Sequence, residues 1–334
     1  MGRYFLGVDI GGTKSHAIIS DESGGVVGAG MAGPGNHESV GYDGFRRVLH
    51  SIVEQAAANA AIRLDEIAGV GLGIAGLDWP SDEEPHRKII TEMLIPAPFA
   101  FVNDAVIGLI AGARLGWGIS IVAGTGNNCR GRDADGREGR VAGVGRWTGE
   151  HGGGGDLVVK AVQGVTMAWT RRGPATQLTE RFLAHVGARD VIDLLEGLSR
   201  NRYWLGAEAA MLVFEAANEG DAVAQEAIRW VGRELGSMAV GVVRQLQFEA
   251  LEFDVVLTGS LYKGSPLIAE MVAKTLHEVA PGATLVPLTA PPVVGAVMLG
   301  MEQAGTAYTL LRERLVQSAS ETLYGKPQYE EADE

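Results

Sequence analysis

The stretch YFLGVDIGGTKSHAIISDESGGVVGAGMA, residues 4–32, holds three apolar runs parted by two turns. YFLGVDI predicts a strand, GGT a tight turn, SHAIIS a second strand, DESGG another turn and VVGAGMA a third strand. Phe45, Val48, Leu49, Ile52, Val53 and Ala56 then recur at three- and four-residue spacing, which predicts a helix over about 42–60. Further on, IAGVGLGIAG and FAFVND read as buried strands, and AVIGLIAGARLG as a helix starting directly after Asp104. Strands and helices that alternate in this way define an α/β protein.

The same opening recurs. GISIVAGTGNNCRGRDADGREGRVAG, residues 118–143, is again strand, glycine turn, strand, Asp-containing turn, strand. A shift of 114 residues lays Val122 on Val8, Gly126 on Gly12 and Asp135 on Asp21. Such a repeat predicts two domains of one topology facing each other across a cleft. The expected domains are 1–116 and 117–317, followed by a polar tail at 318–334. The second carries a helical insertion, and its last helix packs back on the first. Helices dominate from Asp156 to about Phe248, with their Met and Trp residues expected in the core. FDVVLTGS and ATLVPL read as strands, each followed by a helix, the last of which opens on Pro291-Pro292.

Composition limits the functions available. A chain of 334 residues, 46% hydrophobic and 21% charged, is expected to be a globular protein of about two domains. No apolar run reaches the ~18 residues that span a bilayer, and MGRYFLGVDIGG lacks the apolar core of a signal peptide. No membrane partner and a cytoplasmic location are therefore expected. The net charge of −13 has the wrong sign for a nucleic-acid partner. It does not weigh against ATP, whose phosphates backbone N–H groups and a metal ion can hold. Cys129 stands alone, so no internal disulfide forms. The 48 glycines exceed what a core needs and read as clustered in short turns.

Several glycine turns follow strands. Asp9-Ile10-Gly11-Gly12-Thr13-Lys14 lets backbone approach a phosphate, and Asp9 at the strand end suits Mg²⁺ held through water. An ordinary Gly-Gly hairpin would read the same. Ala123-Gly124-Thr125-Gly126-Asn127-Asn128 stands at the matching place in the second repeat, where Thr125, Gly126 and Asn128 could clasp phosphate or sugar. Asn103-Asp104 ends a strand where ligands of α/β sheets gather. Asp104 there serves as the base for an attacking hydroxyl, as a helix cap, or as both. Thr258-Gly259-Ser260 offers a bare backbone for an adenine ring, with Ser260 alternatively capping the next helix. Asn36-His37 contacts substrate or only solvent. The run Trp147-Thr148-Gly149-Glu150-His151-Gly152-Gly153-Gly154-Gly155-Asp156 is either a ligand-contacting loop or a flexible linker. Gly71-Leu72-Gly73-Ile74-Ala75-Gly76 fits GxGxxG, but no helix is expected in the LDWPSDEEP that follows. GxxxxGK[ST], GxSxG and zinc-spaced histidines are all missing.

Taken in order, DIGGTK, GIAGLD, ND, AGTGNNCR, GEHGGGGD, LTGS and PPVVGAVML resemble the BadF/BadG/BcrA/BcrD-type ATPases, which include N-acetylglucosamine kinases. The resemblance runs from about Leu6 to Met301. It implies two ribonuclease-H-like domains of the actin, hexokinase and heat-shock ATPase superfamily, with ATP and Mg²⁺ in the cleft. It also implies an ATP-dependent phosphorylation of a sugar or amino-sugar hydroxyl by a homodimer. Gly11, Gly12, Thr13, Lys14, Thr125 and Gly126 would take phosphates, Gly259 and Ser260 the nucleoside side, and Asp104 the acceptor's proton. Asn36, His37, Asn103, Asn128 and Glu150 would line the acceptor. This chain departs from the family's GDEGS at Gly149–Gly153, and Val144 stands in register with a tryptophan of the animal enzymes, three places from Trp147. Glucosamine is thus as open as N-acetylglucosamine. Two other classes remain: an ATPase activating a partner enzyme through an iron–sulfur cluster, and a sugar-responsive regulator. Cys129 alone would serve the first poorly, and a first strand from Tyr4 leaves no room for the DNA-binding segment of the second.

Overall fold

The computed structural model describes residues 2–325. In chain order the elements are β1 (Tyr4–Ile10), β2 (Ser15–Asp21), β3 (Val26–Ala32), α1 (His37–Ala60), β4 (Ile67–Ile74), α2 (Pro80–Glu92), β5 (Phe99–Asn103) and α3 (Asp104–Gly112). Then come β6 (Gly118–Ala123), β7 (Asn127–Arg132), β8 (Glu138–Arg140), α4 (Gly154–Trp169), α5 (Leu178–Val186), α6 (Val191–Ser199), α7 (Ala210–Asn218) and α8 (Ala222–Leu246). The chain closes with β9 (Phe253–Thr258), α9 (Pro266–His277), β10 (Ala283–Pro287), α10 (Pro292–Gln303) and α11 (Arg312–Tyr324). Two compact units result: Met1–Gly118 with the chain from Val286 onward, and Ile119–Leu285.

The first sheet has the order β3-β2-β1-β4-β5 and the second β10-β9-β6-β7-β8. Read in reverse, the second matches the first strand for strand, which is the repeat expected from the sequence. The turns after β2 and β7 match atom for atom. Asp21 Oδ1 accepts from the N–H groups of Ser23 and Gly25, and Asp133 Oδ1 from those of Asp135 and Arg137. Asp133, not Asp135, is therefore the partner of Asp21. The first turn of the second unit, Gly124–Gly126, is one residue shorter than Gly11–Lys14, and from there the two repeats run in step to the Asp.

Alternation along β1 sets the layers of the first unit. Leu6, Val8 and Ile10 pack with Phe45, Leu49 and Ile52 of α1 on one face. Phe5 faces Val106, Ile110, Val294 and Val297 of α3 and α10 on the other. Gly7 and Asp9 share the parity of Phe5, so Asp9 lies on the α3 side. Many glycines thought to mark turns instead sit inside elements, where a helix backbone comes close. A Cβ on Gly69 or Gly71 would run into the α10 backbone at Gly300 or Ala296, and one on Gly30 into Ile52 of α1.

Residues 286–325 group with the first unit, where α10 docks on β1 and β4, the place expected of the last helix. Other expectations need correction. Part of the expected polar tail is helical: α11 runs to Tyr324, burying Leu315 and Ala319, and 326–334 lie outside the described residues. Met167, Trp169, Trp204 and Met211 of the helical segment are exposed and not core. A helix, α2, does follow the GxGxxG stretch, but Gly71 and Gly73 lie within β4, so no glycine turn opens that helix.

The helical segment of the second unit hangs on Asp221. Its carboxylate accepts from Ala224 N–H at 2.8 Å, Gln177 N–H at 2.7 Å and the Thr176 hydroxyl at 2.9 Å. Burial pushes its carboxyl up, but these bonds outweigh burial and hold it below the usual range. A depressed carboxyl stabilises the fold above its unfolded-state value, and that contribution is lost as pH falls through the lower folded value. Asp221→Asn should cost about 2 kcal/mol at neutral pH. The deficit should shrink below pH ~4, where the wild-type carboxylate also becomes protonated. Denaturant unfolding at pH 7 and pH 3 checks it.

Candidate active site

Register gathers the first unit's candidates on one edge of its sheet. Ile10 pairs with both Ser15 and Ile74, Ser15 with Ala32, and Ile74 with Asn103. The segments leaving that edge are Gly11–Lys14, the loop to Asn36, Gly76–Trp79 and Asp104. Gly12, Thr13 and Lys14 are exposed, while Gly11 is half-buried against the Lys14 carbonyl.

Asp104 is the first residue of α3, and the cap is Asn103, whose Oδ1 accepts from Ala105 N–H at 3.1 Å. The capping role is thus met by its neighbour, although Asp104 Oδ1 also lies 3.0 Å from Ala105 N. Asp9 and Asp104 feel each other. Burial first, and then the Asp104 charge, push the Asp9 carboxyl up to about 7, while Lys14 pulls it down. Asp9, Asp104 and Lys14 thus interact at one end of the sheet. Such a place accepts a hard divalent cation, or a proton. No group of three or more His, Cys, Asp or Glu among the described residues could cage a metal. Carboxylate oxygens are the hard donors that Mg²⁺ takes when water and phosphate supply the rest of its shell.

Asn36 caps α1 through Glu38 N–H at 2.9 Å, and regular helix resumes after Gly41, whose φ is 68°. Gly76, at φ +82°, lets the next segment pass directly over the Asn36 side chain. Asn103 Nδ2 reaches back to the Leu77 carbonyl at 3.4 Å and to Asp78 Oδ1 at 3.3 Å. Asp78 was missed in the sequence, since only its place in GIAGLD marked it. His37 turns inward. Its side chain is 11% exposed, stacked on Tyr42 and edge-on to His86.

In the second unit the Gly124–Gly126 turn is stitched to the glycine run. Gly154 N–H donates to the Gly124 carbonyl at 2.8 Å and Gly155 N–H to that of Thr125 at 3.3 Å. A Cβ on Gly153 would meet Gly126, so the run is a packed wall and no linker. Gly259, at φ +110°, lies against Ala123 at the end of β6. Ser260 is exposed, and α9 is capped by Ser265 instead. Asn128 Oδ1 takes the Cys129 N–H at 2.8 Å. Glu150 is not an open carboxylate: it accepts from Ala142 N–H and Gly143 N–H at 2.7 Å and from the Thr148 hydroxyl at 2.9 Å. His151 Nδ1 lies 3.2 Å from Asp156 Oδ1, and the other oxygen of Asp156 caps α4. Trp147 and Val144 are both exposed. Cys129 is fully buried, which pushes its thiol far up and makes it unfit to ligate a cluster.

Gly12, Gly124 and Gly126 share one feature. None has a left-handed φ, and a Cβ on any of them would meet nothing within 4 Å. Neither turn conformation nor packing demands glycine there. What remains is room over the backbone.

The duplicated β-sheet thus carries glycine turns at matching strand ends and an Asp that opens α3. The BadF/BadG/BcrA/BcrD ATPase family model matches residues 6–300, and the chain belongs to that family. An N-acetylmuramic acid/N-acetylglucosamine kinase of Clostridium acetobutylicum is 26% identical over 90% of this chain and 99% of its own. An N-acetyl-D-glucosamine kinase of Dictyostelium discoideum is 25% identical over 89% and 97%. Among solved structures, a candidate N-acetylglucosamine kinase of Chromobacterium violaceum matches with a TM-score of 0.65 at 23% identity, over 89% of this chain and 98% of that one. A ROK family glucokinase of Streptomyces griseus, solved with glucose and AMPPNP, matches at 0.53 and 20% identity, over 89% and 98%. These structures establish the fold. No helix among the described residues is long and apolar enough to cross a membrane.

Proposed function

We propose that this chain transfers the terminal phosphate of ATP to a hydroxyl of a sugar or amino sugar, with N-acetylglucosamine-type acceptors foremost. The observation that carries the reading is the set of open glycines at 12, 124 and 126, in two turns at matching strand ends, with the Asp104 charge acting on Asp9 at the same end of the sheet. The names of the two curated relatives support the acceptor class. Backbone N–H groups of Gly11–Lys14 and of Thr125–Gly126 bind phosphate oxygens, and Lys14 adds charge. The bare backbone at Gly259 and the neighbouring Ser260 receive the nucleoside. Asn36, Asn103 and Asn128 orient the acceptor by hydrogen bonds, while Glu150 holds the bend at Ala142–Gly143.

Asp104 takes the proton of the acceptor hydroxyl as that oxygen bonds to phosphorus and the bond to the ADP oxygen breaks. A magnesium ion bound with ATP would neutralise phosphate charge, held through water by Asp9. Coupled assays of ADP release across amino sugars, N-acylated amino sugars, hexoses and polyols, with and without chelator, test the reading. Magnesium-dependent, acceptor-dependent ADP release is expected, with N-acetylglucosamine or glucosamine the best acceptor. ADP release that no acceptor stimulates would overturn it in favour of an ATPase serving a partner.

A further inference from the structure

Asp82 stands in the first turn of α2, 8% exposed, and touches none of the residues proposed to meet ATP. Its Oδ2 accepts the N–H of Trp79 at 2.8 Å and that of Asp78 at 3.1 Å. Its Oδ1 lies 3.8 Å from His37 Nε2, the residue that follows Asn36. Its own carbonyl lies 2.6 Å from Nδ1 of His86, a fully buried ring that packs edge-on against His37, Tyr42 and Phe45. The loop before α1 and the bend before α2 thus converge on this side chain.

That bend is held at three points. Asn36 packs under Gly76, Asn103 binds Leu77 and Asp78, and Asp82 takes the two N–H groups that follow. Two of these three residues are the ones proposed to orient the acceptor. The third, Asp82, is buried like Asn103 and lies beside the His37 and His86 rings, where the position of a carboxylate is least free to drift.

We propose that Asp82 is a positioning residue for acceptor binding, fixing the Gly76–Trp79 bend against Asn36 and Asn103 without touching the sugar. The inference rests on the sugar-kinase reading above. A positioned polar group displaced by about 1 Å can cost up to ~10²-fold, so a partial loosening should cost about ten-fold. Asp82→Asn keeps the size of the side chain but removes the charge that draws in His37 and both N–H groups. Expected is a rise of about ten-fold in the KM for the acceptor, with the KM for ATP within about two-fold. Sugar-induced thermal shift, measured without ATP, should weaken in parallel. His37→Gln, which leaves the α2 cap untouched, should move the same constant in the same direction by a smaller factor, and serves if Asp82→Asn fails to fold. Equal changes in both KM values, or an unchanged acceptor KM in a folded variant, would overturn the assignment. A wild-type protein that neither binds nor phosphorylates any sugar would overturn the sugar-kinase reading, and this inference with it.

Discussion

Asp104→Asn should lower kcat by about 10²-fold or more while leaving ATP affinity within a few-fold, because base catalysis typically contributes ~10²–10⁴. Asparagine keeps the shape but cannot accept the hydroxyl proton. The fold should tolerate the change, since Asn103 rather than Asp104 caps α3. A second consequence follows from its charge. Asp104 raises the Asp9 carboxyl through its charge, so the neutral variant should let Asp9 ionise at lower pH. The measurement is steady-state kinetics with nucleotide binding followed separately by titration. Near-normal turnover would leave Asp104 as a structural residue and the proton with another acceptor.

The fold was legible because it was written twice. Strand, glycine turn, strand, Asp turn, strand appears at residues 4–32 and again at 118–143, and both sheets hold those strands in the same order. The exact register was not legible, since Asp135 and Asp133 both stand near a Gly-containing turn and only the hydrogen bonds pick Asp133. Asp9, Asp104 and the two glycine turns could be found as residues at strand ends. That Asp9 faces α3 needed the parity of β1 joined to the packing of α3, which no local pattern carries. His37 and Glu150 show where a local pattern stops. A polar residue beside a glycine loop looks the same whether it faces a ligand or ties down its own backbone, and both tie down structure here. Asp82 drew no notice because an acid in a first helical turn is commonplace.

The glycines pose the sharpest case, since one residue type serves two opposite purposes. At Gly71 a Cβ would meet the Ala296 carbonyl, with Gly300 N at 2.7 Å and Leu299 Cβ at 2.9 Å, all parts of a helix pressed onto β4. Two of these are backbone atoms and cannot rotate aside. Gly71→Val must therefore lift α10 from the sheet, parting Val294 and Val297 from Phe5 and Val106. Overpacking usually costs 1–3 kcal/mol, and a helix backbone as the obstacle puts this change at about 3 kcal/mol or beyond. For a chain of this size the unfolding midpoint should fall by about 4 °C or more. Gly126→Val meets open space and should leave the midpoint within about 2 °C, while its side chain fills the room over the turn and raises the KM for ATP at least ten-fold. Thermal unfolding and ATP kinetics on the two variants side by side check both halves. If Gly126→Val binds ATP normally, the open glycines have no ligand to explain them, and the phosphate assignment of that turn falls.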